Sequence, residues 1–295
     1  MSKLSGILVP TDFSLACERA LAHAAAIAAR TGAKLHVLHV HVLHRDMYGW
    51  ADIPNIEAVE NIIADHSSRD LDKFVEKIKP PVHHEVIREP RAADAIVRYA
   101  RAHDIDLIVM GTHARKGIAR AFMGSVAAEV LRESPVSVLA LGPEHVLPAD
   151  LYRRILAPVD FSDSSRAALQ QASAIASQHD ADLLALHVIE PRIRTPYDGA
   201  GGAPEELRQL AARSLDEWLE AARLPKPPVE KCIMHGPPDE QIVSCARDKF
   251  SDLIVMGTVG LSGLSRLLLG STTERTLRNA PCAVLAHRGE IHEDL

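Results

Sequence analysis

Short apolar runs rich in β-branched residues alternate along the chain with longer segments of helical periodicity. In the first half the runs at residues 107–110 (LIVM) and 136–141 (VSVLAL) are apolar throughout, as expected for strands buried on both faces of a sheet. A buried helical turn looks similar over so few residues, but the brevity of the runs favours strands. The predicted strands are 7–10, 34–42, 82–87, 107–110 and 136–141, and the predicted helices are 16–30, 56–78, 92–103 and a segment from 125 onwards.

This order predicts an α/β domain with a parallel sheet covered by helices on both faces. In such open sheets ligands bind beyond the carboxyl ends of the strands. The segments after the first and fourth strands are therefore the first candidates for a binding site.

The second half of the chain repeats the first. ILVPTDFS at residues 7–14 returns as ILAPVDFS at 155–162, and DLIVMGT at 106–112 returns unchanged at 252–258. Two long copies indicate two complete domains and not a solenoid. We predict domains at 1–142 and 153–295, joined by the polar, proline-containing linker GPEHVLPADLYR that begins at Gly142.

The composition of the chain argues against several classes of protein. A length of 295 residues, 47% of them hydrophobic, allows two buried cores, and a net charge of -6 argues against binding to nucleic acid. No apolar run is long enough to span a membrane. The four cysteines form no C-x-x-C pair, so neither a disulfide framework nor a zinc ribbon is indicated, and a cytoplasmic protein with reduced thiols is expected.

A glycine-rich segment follows the fourth strand of the second copy. Gly257 is followed after two residues by Gly260, and after nine more by Gly270 and Ser271, a spacing much longer than that of a Walker loop. It resembles the ATP-binding signature of the universal stress protein family. The acidic turns of the two repeated segments, the LHV tripeptides at 38–40 and 186–188, and PCAVLAHR at 281–288 resemble other parts of that family.

On this resemblance the chain is identified as a tandem universal stress protein. The resemblance implies two Rossmann-like domains of the adenine nucleotide alpha hydrolase-like type, each an open five-stranded parallel sheet. The resemblance implies that the phosphates are bound by Gly260, Gly270, Ser271 and Thr272. It also implies that Gly257 lies close to the ribose, that the backbone of Val188 contacts adenine, and that Asp160 binds the sugar or the base edge. The first-copy counterparts are Asp12, Val40, Gly111, Gly124, Ser125 and Val126.

The physical chemistry of these residues is consistent with phosphate binding. Glycines let backbone amides approach an anion, and a helix that starts near Ser271 offers unpaired amides and a positive dipole end. Each residue also has a purely structural interpretation. Residues 271–274 (Ser-Thr-Thr-Glu) match a capping box, and Asp12 and Asp160 can form Asx-turns before helices capped by Ser14 and Ser162.

The first copy departs from the glycine pattern at one position. Ala114 stands where the second copy has its second glycine. If that position needs a left-handed backbone, alanine costs roughly 1–2 kcal/mol, and about 1.4 kcal/mol corresponds to a tenfold loss of affinity. Arg115, Lys116 and Arg120 can contact phosphates or form a solvated surface. We predict unequal sites, with greater occupancy in the second.

Histidines are concentrated in and just after the second predicted strand: His36, His39, His41 and His44. Side chains alternate along a strand, so His39 and His41 lie on one face, two residues apart, as zinc ligands often do. His83 and His84 on the adjoining strand could complete such a site. However, His39 matches His187 of the other copy, and His36 points the opposite way. A metal site is therefore a secondary hypothesis, and no metal ligand is predicted.

No nucleophile, paired carboxylates or water-positioning base accompanies the glycine-rich segments, so no catalytic residue is predicted. The leading hypothesis is a regulatory module that binds ATP, ADP or AMP, with magnesium bridging the phosphates, in the stress response associated with the family. The alternatives are a slow magnesium-dependent ATPase and an interaction scaffold that needs no nucleotide. By resemblance, the two domains pair within the chain, and a homodimer of whole chains is left open.

Overall fold

A computed structural model describes residues 4–42, 56–79, 81–112, 123–142, 152–190, 205–258 and 269–288. The described residues form two compact units, one within 4–142 and the other within 152–288. None of the described helices combines the length and the apolar character that crossing a membrane requires.

The first unit alternates strands and helices as predicted. Its strands are β1 (Gly6–Thr11), β2 (Lys34–Val42), β3 (Val82–Glu89), β4 (Leu107–Gly111) and β5 (Ser137–Leu141), and its helices are α1 (Leu15–Thr31), α2 (Ile56–Val75), α3 (Ala92–Ala102) and α4 (Ser125–Glu133). All strand pairs are parallel, in the order β3-β2-β1-β4-β5. The order reverses at β1, which is where open α/β sheets bind ligands.

The second unit repeats this topology. Its strands are β6 (Arg154–Val159), β7 (Asp182–Ile189), β8 (Glu230–His235), β9 (Leu253–Gly257) and β10 (Ala283–His287), and its helices are α5 (Asp163–His179), α6 (Glu205–Ala222), α7 (Pro238–Asp248) and α8 (Ser271–Asn279). The parallel order is β8-β7-β6-β9-β10. The predicted fold, two domains with five-stranded parallel sheets, is confirmed.

Helices cover both faces of the first sheet, as the apolar strands require. The ring of His36 contacts Tyr99 of α3, whereas the ring of His39, on the opposite face of β2, contacts Phe13, which packs against Phe74 of α2. Between these layers Ile7, Leu8 and Val9 of β1 are completely buried. Continuous apolar sequence in β1 therefore reflects burial on both sides.

The described part of the second unit includes the end of the predicted linker. Tyr152 is fully buried, and its ring packs edge-on against His179 of α5 at 5.2 Å. Burial raises the pKa of its hydroxyl. The last residues of the predicted linker thus belong to the folded domain, while residues 143–151 lie outside the described residues.

An aspartate before the fourth strand of each domain holds the start of the first strand. Asp106 Oδ2 accepts hydrogen bonds from Ser5 N at 2.6 Å and Gly6 N at 3.1 Å. Asp252 Oδ2 accepts from the two corresponding amides at the start of β6, at 2.7 and 3.2 Å. Burial raises the pKa of Asp252 although these amides favour the charged form. The aspartate that begins DLIVMGT in both copies therefore has a structural role.

We predict that Asp252→Ala destabilises the second domain by about 1–3 kcal/mol, because it leaves two strand amides without their acceptor. Urea denaturation followed by circular dichroism measures this loss. The control is Asp248→Ala, which removes an exposed carboxylate that accepts from the Ser244 hydroxyl at the end of α7. Equal stabilities for the two variants would contradict the assigned role of Asp252.

Candidate functional site

The predicted residues of the first site surround one cavity. It has a volume of about 250 Å³ and lies where the carboxyl ends of β1, β2 and β4 meet the start of α4. Its lining includes all six residues predicted for the first copy, namely Asp12, Val40, Gly111, Gly124, Ser125 and Val126. Leu38, Ile96 and Met110 add apolar walls. Sequence reasoning did not select these three, although their position beside the strand ends was available from the predicted topology.

The acidic turn after β1 forms both structural features that were predicted for it. Asp12 Oδ1 accepts a hydrogen bond from Ser14 N at 3.0 Å, and Ser14 Oγ accepts from Cys17 N at 3.4 Å, which caps α1. The Cys17 thiol also donates to Asp12 Oδ1 at 3.2 Å. The Asx-turn and N-cap predictions are confirmed, and Asp12 is also one of the residues that line the cavity.

The second domain has the same turn with a different partner. Asp160 Oδ1 accepts from Ser162 N at 3.0 Å and from Ser162 Oγ at 2.5 Å, and Ser162 Oγ accepts from Ser165 N at 3.1 Å. Ser165 occupies the position that Cys17 has in the first domain. The orientation of the aspartate is therefore set locally in both copies.

A phenylalanine in each turn has the left-handed backbone. Phe13 has φ of 63° and Phe161 has φ of 65°. Each ring lies 4.5 Å from a histidine ring, His39 and His187 respectively. The Nδ1–H of each histidine donates at 2.8 Å to the carbonyl oxygen of the last residue of β1 or β6. The repeated histidine thus holds the turn, and its burial lowers the pKa of His39.

The first glycine of each glycine-rich segment is required by packing. A Cβ at Gly111 would lie 2.7 Å from the Cβ of Ala16 in α1, and one at Gly257 would overlap Ser164 in α5. Only glycine lets the fourth strand approach the first helix this closely. Sequence reasoning missed this role, which needs no ligand.

Both glycine-rich segments close in the same way. Gly124 N donates to Thr112 O at 2.7 Å, and Gly270 N donates to Thr258 O at 2.8 Å. The two threonines are buried and were missed by sequence reasoning, although they end the repeated DLIVMGT motif. Gly260 and Ala114, on which the predicted inequality of the sites depends, lie outside the described residues.

The capping-box interpretation of residues 271–274 is wrong. Gly270 is the N-cap of α8 and makes no side-chain capping bond, so Ser271 is the first helical residue. Glu274 pairs with Arg278 at 2.6 Å. Gly124 is the N-cap of α4 in the same manner. In both helices the N-cap residue therefore supplies no side-chain hydrogen bond to the first-turn amides, which are the groups that bind anions at helix starts.

The second-domain candidates lie at the equivalent positions. Asp160 follows β6, Val188 lies in β7, and Gly257 ends β9. Gly270 is the N-cap of α8, Ser271 is its first residue, and Thr272 follows. The Thr273 hydroxyl donates to the Gly257 carbonyl at 2.9 Å, which joins the start of α8 to the end of β9.

The histidines of β2 are divided between the two faces of the sheet. His36 Nδ1 lies 3.1 Å from the Tyr99 hydroxyl, and the His83 ring is 5.1 Å away. His84 instead contacts Asp72 Oδ1 at 2.9 Å. Within the described ranges no group of three or more histidine, cysteine, aspartate or glutamate side chains is arranged to hold a metal ion. His44 lies outside those ranges.

Burial lowers the pKa of His36 to about 4, and the neighbouring His83, His103 and Lys34 act in the same direction. The His103 ring stacks on Tyr99 with 3.8 Å between ring centroids. His36 is therefore neutral in the folded protein at pH 7.

Comparison with known proteins decides the family. The family model described as universal stress protein family matches residues 5–142 and 151–288. The chain belongs to this family. A universal stress protein of Mycobacterium tuberculosis is 26% identical over 298 residues, which cover 97% of this chain and 98% of that protein. One of Methanocaldococcus jannaschii is 37% identical over 145 residues, which cover 46% of this chain and 82% of that protein.

A solved structure shows the same fold over the whole length. The crystal structure of a universal stress protein from Archaeoglobus fulgidus superposes with a TM-score of 0.67 at 21% identity, covering 96% of this chain and 98% of that chain. The tandem arrangement predicted from the internal repeat is therefore a property of full-length relatives as well.

We predict that Gly257→Ala destabilises the second domain by about 1–3 kcal/mol through overpacking against α5. Ser164→Gly removes the overlapping side chain and should restore part of this loss, as measured by urea denaturation of the double variant. Gly270→Ala is the control, because the φ of -60° at that residue suits alanine. Equal losses for the two glycine variants would rule out the packing role of Gly257.

We also predict an acid-sensitive contribution from His36. The pKa of His36 is about 4 in the folded chain and 6.5 in its ordinary state. Its contribution to the free energy of unfolding is therefore fully present above pH 6.5 and is lost as the pH falls through 4. The free energy of unfolding then changes with pH by up to about 1.4 kcal/mol per pH unit. His36→Gln should flatten this part of the stability profile, whereas exposed His66→Gln should not. A His36 pKa of 6.5 by NMR would contradict this prediction.

Proposed function

We propose that the protein binds adenine nucleotide, namely ATP or alternatively ADP or AMP, at the carboxyl edge of each sheet. Binding makes it a nucleotide-dependent regulatory module in the stress response. The observation that carries this proposal is the cavity of the first domain, which is lined by every residue that the family resemblance selected for that copy.

The lining of the cavity suits the parts of a nucleotide. Leu38, Ile96 and Met110 offer apolar surface for a base, and Val40 lines the same cavity. The Asp12 carboxylate is an acceptor for ribose hydroxyls. The volume of about 250 Å³ suits a nucleoside more than a whole nucleotide, so the phosphates extend toward the start of α4.

The start of α4 supplies the phosphate-binding groups of this proposal. Gly124 caps the helix without a side chain, Ser125 is exposed, and the helix dipole is positive at this end. Magnesium would be held mainly by the phosphates, since Asp12 is the one carboxylate among the described residues that line the cavity.

The second site is proposed to bind more tightly. Its glycine pattern is complete at Gly260, and Thr272 offers a hydroxyl where the first domain has the apolar Val126. The Asx-turn made by the aspartate and the glycine N-caps of α4 and α8 are the same in both copies. The difference in affinity therefore arises in the glycine-rich segment and the first turn of α8.

A cytoplasmic location is proposed because none of the four cysteines forms a disulfide. Pairing of the two domains within the chain, and of two chains in a homodimer, are proposals that rest on the family resemblance. No nucleic acid partner is proposed for a chain with a net charge of -6.

Asparagine variants of the two aspartates test the sites separately. Asparagine keeps the Oδ1 acceptor of the Asx-turn, so the turn folds, but it removes the carboxylate that would bind ribose. We predict that Asp160→Asn lowers the affinity of the tighter site for magnesium ATP about tenfold or more, and that Asp12→Asn affects only the weaker site. Isothermal titration calorimetry of the full chain measures both.

Asp163→Asn, which changes an exposed aspartate at the start of α5, is the matched control and should leave both affinities unchanged. Unchanged ATP binding in both Asp12→Asn and Asp160→Asn would refute the assignment of the sites. Magnesium-dependent release of phosphate that Gly260→Ala abolishes would favour a slow ATPase over a binding module.

A further inference from the structure

An ion pair joins the two helices that flank the cavity of the first domain. The cavity is lined by Ala92 of α3 and by residues 125–127 at the start of α4. Arg91, the N-cap residue of α3, donates from Nη2 to Glu129 Oε2 of α4 at 3.0 Å, and its Nη1 lies 3.3 Å from Asp94 Oδ2. The Arg91 side chain is 58% exposed, so solvent and a ligand can reach it.

Glu129 places a negative charge close to the helix start that is proposed to bind phosphate. It lies four residues after Ser125, on the same side of α4 and about 6 Å further along the helix axis. Charges at that separation interact at physiological salt, where the Debye length is about 8 Å. A carboxylate at this position opposes the binding of an anion at Ser125. Arg91 neutralises that carboxylate and adds a donor group next to the cavity.

The second domain joins the same two helices with the charges exchanged. Arg275 of α8 occupies the position that Glu129 has in α4, and its Nη1 lies 3.7 Å from Oδ1 of Asp239 in α7. Glu274, the residue before Arg275, pairs with Arg278 in the next turn. One turn after its start, α8 therefore carries a guanidinium group where α4 carries a carboxylate.

We propose that Arg91 in the first domain and Arg275 in the second bind the terminal phosphates of the nucleotide, an inference that rests on the proposed nucleotide site. Each guanidinium group exchanges its carboxylate partner for phosphate oxygens when the nucleotide binds. A guanidinium group has five donors in a planar arrangement that matches phosphate oxygens. Arg91 lies next to the cavity lining and not within it, so it meets the phosphates that extend out of the cavity.

The exchange is more favourable in the second domain. Arg91 must leave two carboxylates, those of Glu129 and Asp94, whereas Arg275 leaves one at the longer distance of 3.7 Å. The Arg275 side chain is also 65% exposed. These differences act in the same direction as the complete glycine pattern and add a second reason for tighter binding in the second domain.

The test is a titration of the full chain with magnesium ATP, followed by NMR of the backbone amides of Ser125 and Ser271, which report the two sites separately. Arg91→Gln should weaken ATP binding about tenfold at the first site and leave the second unchanged. Arg275→Gln should do the reverse. The affinity for AMP should fall less than about threefold in either variant, because AMP lacks the terminal phosphates.

A variant of the carboxylate partner distinguishes phosphate binding from a purely structural ion pair. Glu129→Gln should tighten ATP binding at the first site about threefold, because it releases Arg91 and removes a negative charge. A structural ion pair predicts instead that Glu129→Gln and Arg91→Gln lower the affinity together. Arg98→Gln is the matched control, since Arg98 is another exposed arginine of α3, paired with Glu89, and should change neither affinity. Circular dichroism verifies that each variant is folded.

The possible failures have different meanings. Saturable ATP shifts that are the same in the unmodified chain, Arg91→Gln and Arg275→Gln would overturn the roles of the two arginines and leave the nucleotide site in place. Equal losses of affinity in Glu129→Gln and Arg91→Gln would assign the first ion pair a structural role and overturn the phosphate contact. An unmodified chain in which ATP shifts neither amide would overturn the nucleotide site and the arginine contacts together.

Discussion

The turn after the first strand of each domain determines where the candidate binding groups lie. Phe13 and Phe161 have positive φ, which costs a side-chain-bearing residue about 1–3 kcal/mol. The ring contact with a histidine and the histidine's hydrogen bond to the strand carbonyl hold this conformation in both copies. Once the turn is formed, its aspartate caps the turn and faces the carboxyl edge of the sheet, where the other candidate residues meet.

Close packing of the fourth strand against the first helix completes the same edge. Gly111 and Gly257 allow this approach, and the amides of Gly124 and Gly270 donate to the carbonyl oxygens of Thr112 and Thr258. The glycine N-cap then supplies no side-chain hydrogen bond to the first-turn amides of each following helix. A glycine that is needed for packing and a glycine that exposes amides serve different purposes within one motif, and only the second points to a ligand.

Much of this architecture was predictable because its signals are local. Strands buried on both faces must be apolar throughout, and the verbatim repeat of DLIVMGT identified the duplication. The errors arose where a distant contact decides the outcome. The sequence of residues 271–274 satisfies a capping box, but the bond from Gly270 N to Thr258 O shifts the cap to the glycine. Likewise, the packing role of Gly111 and Gly257 is visible only once the fourth strand lies against the first helix.

The central claim is that the carboxyl edges of these sheets bind adenine nucleotide. The most direct measurement is to denature the protein as purified and to identify the released small molecules by chromatography, with equilibrium dialysis against ATP, ADP and AMP for any empty protein. We expect chromatography to detect copurified adenine nucleotide, or equilibrium dialysis to detect saturable binding of ATP at the site of the second domain. Absence of bound nucleotide together with no saturable binding of any of the three at millimolar concentration would contradict it, and the fold would then serve as a nucleotide-independent scaffold.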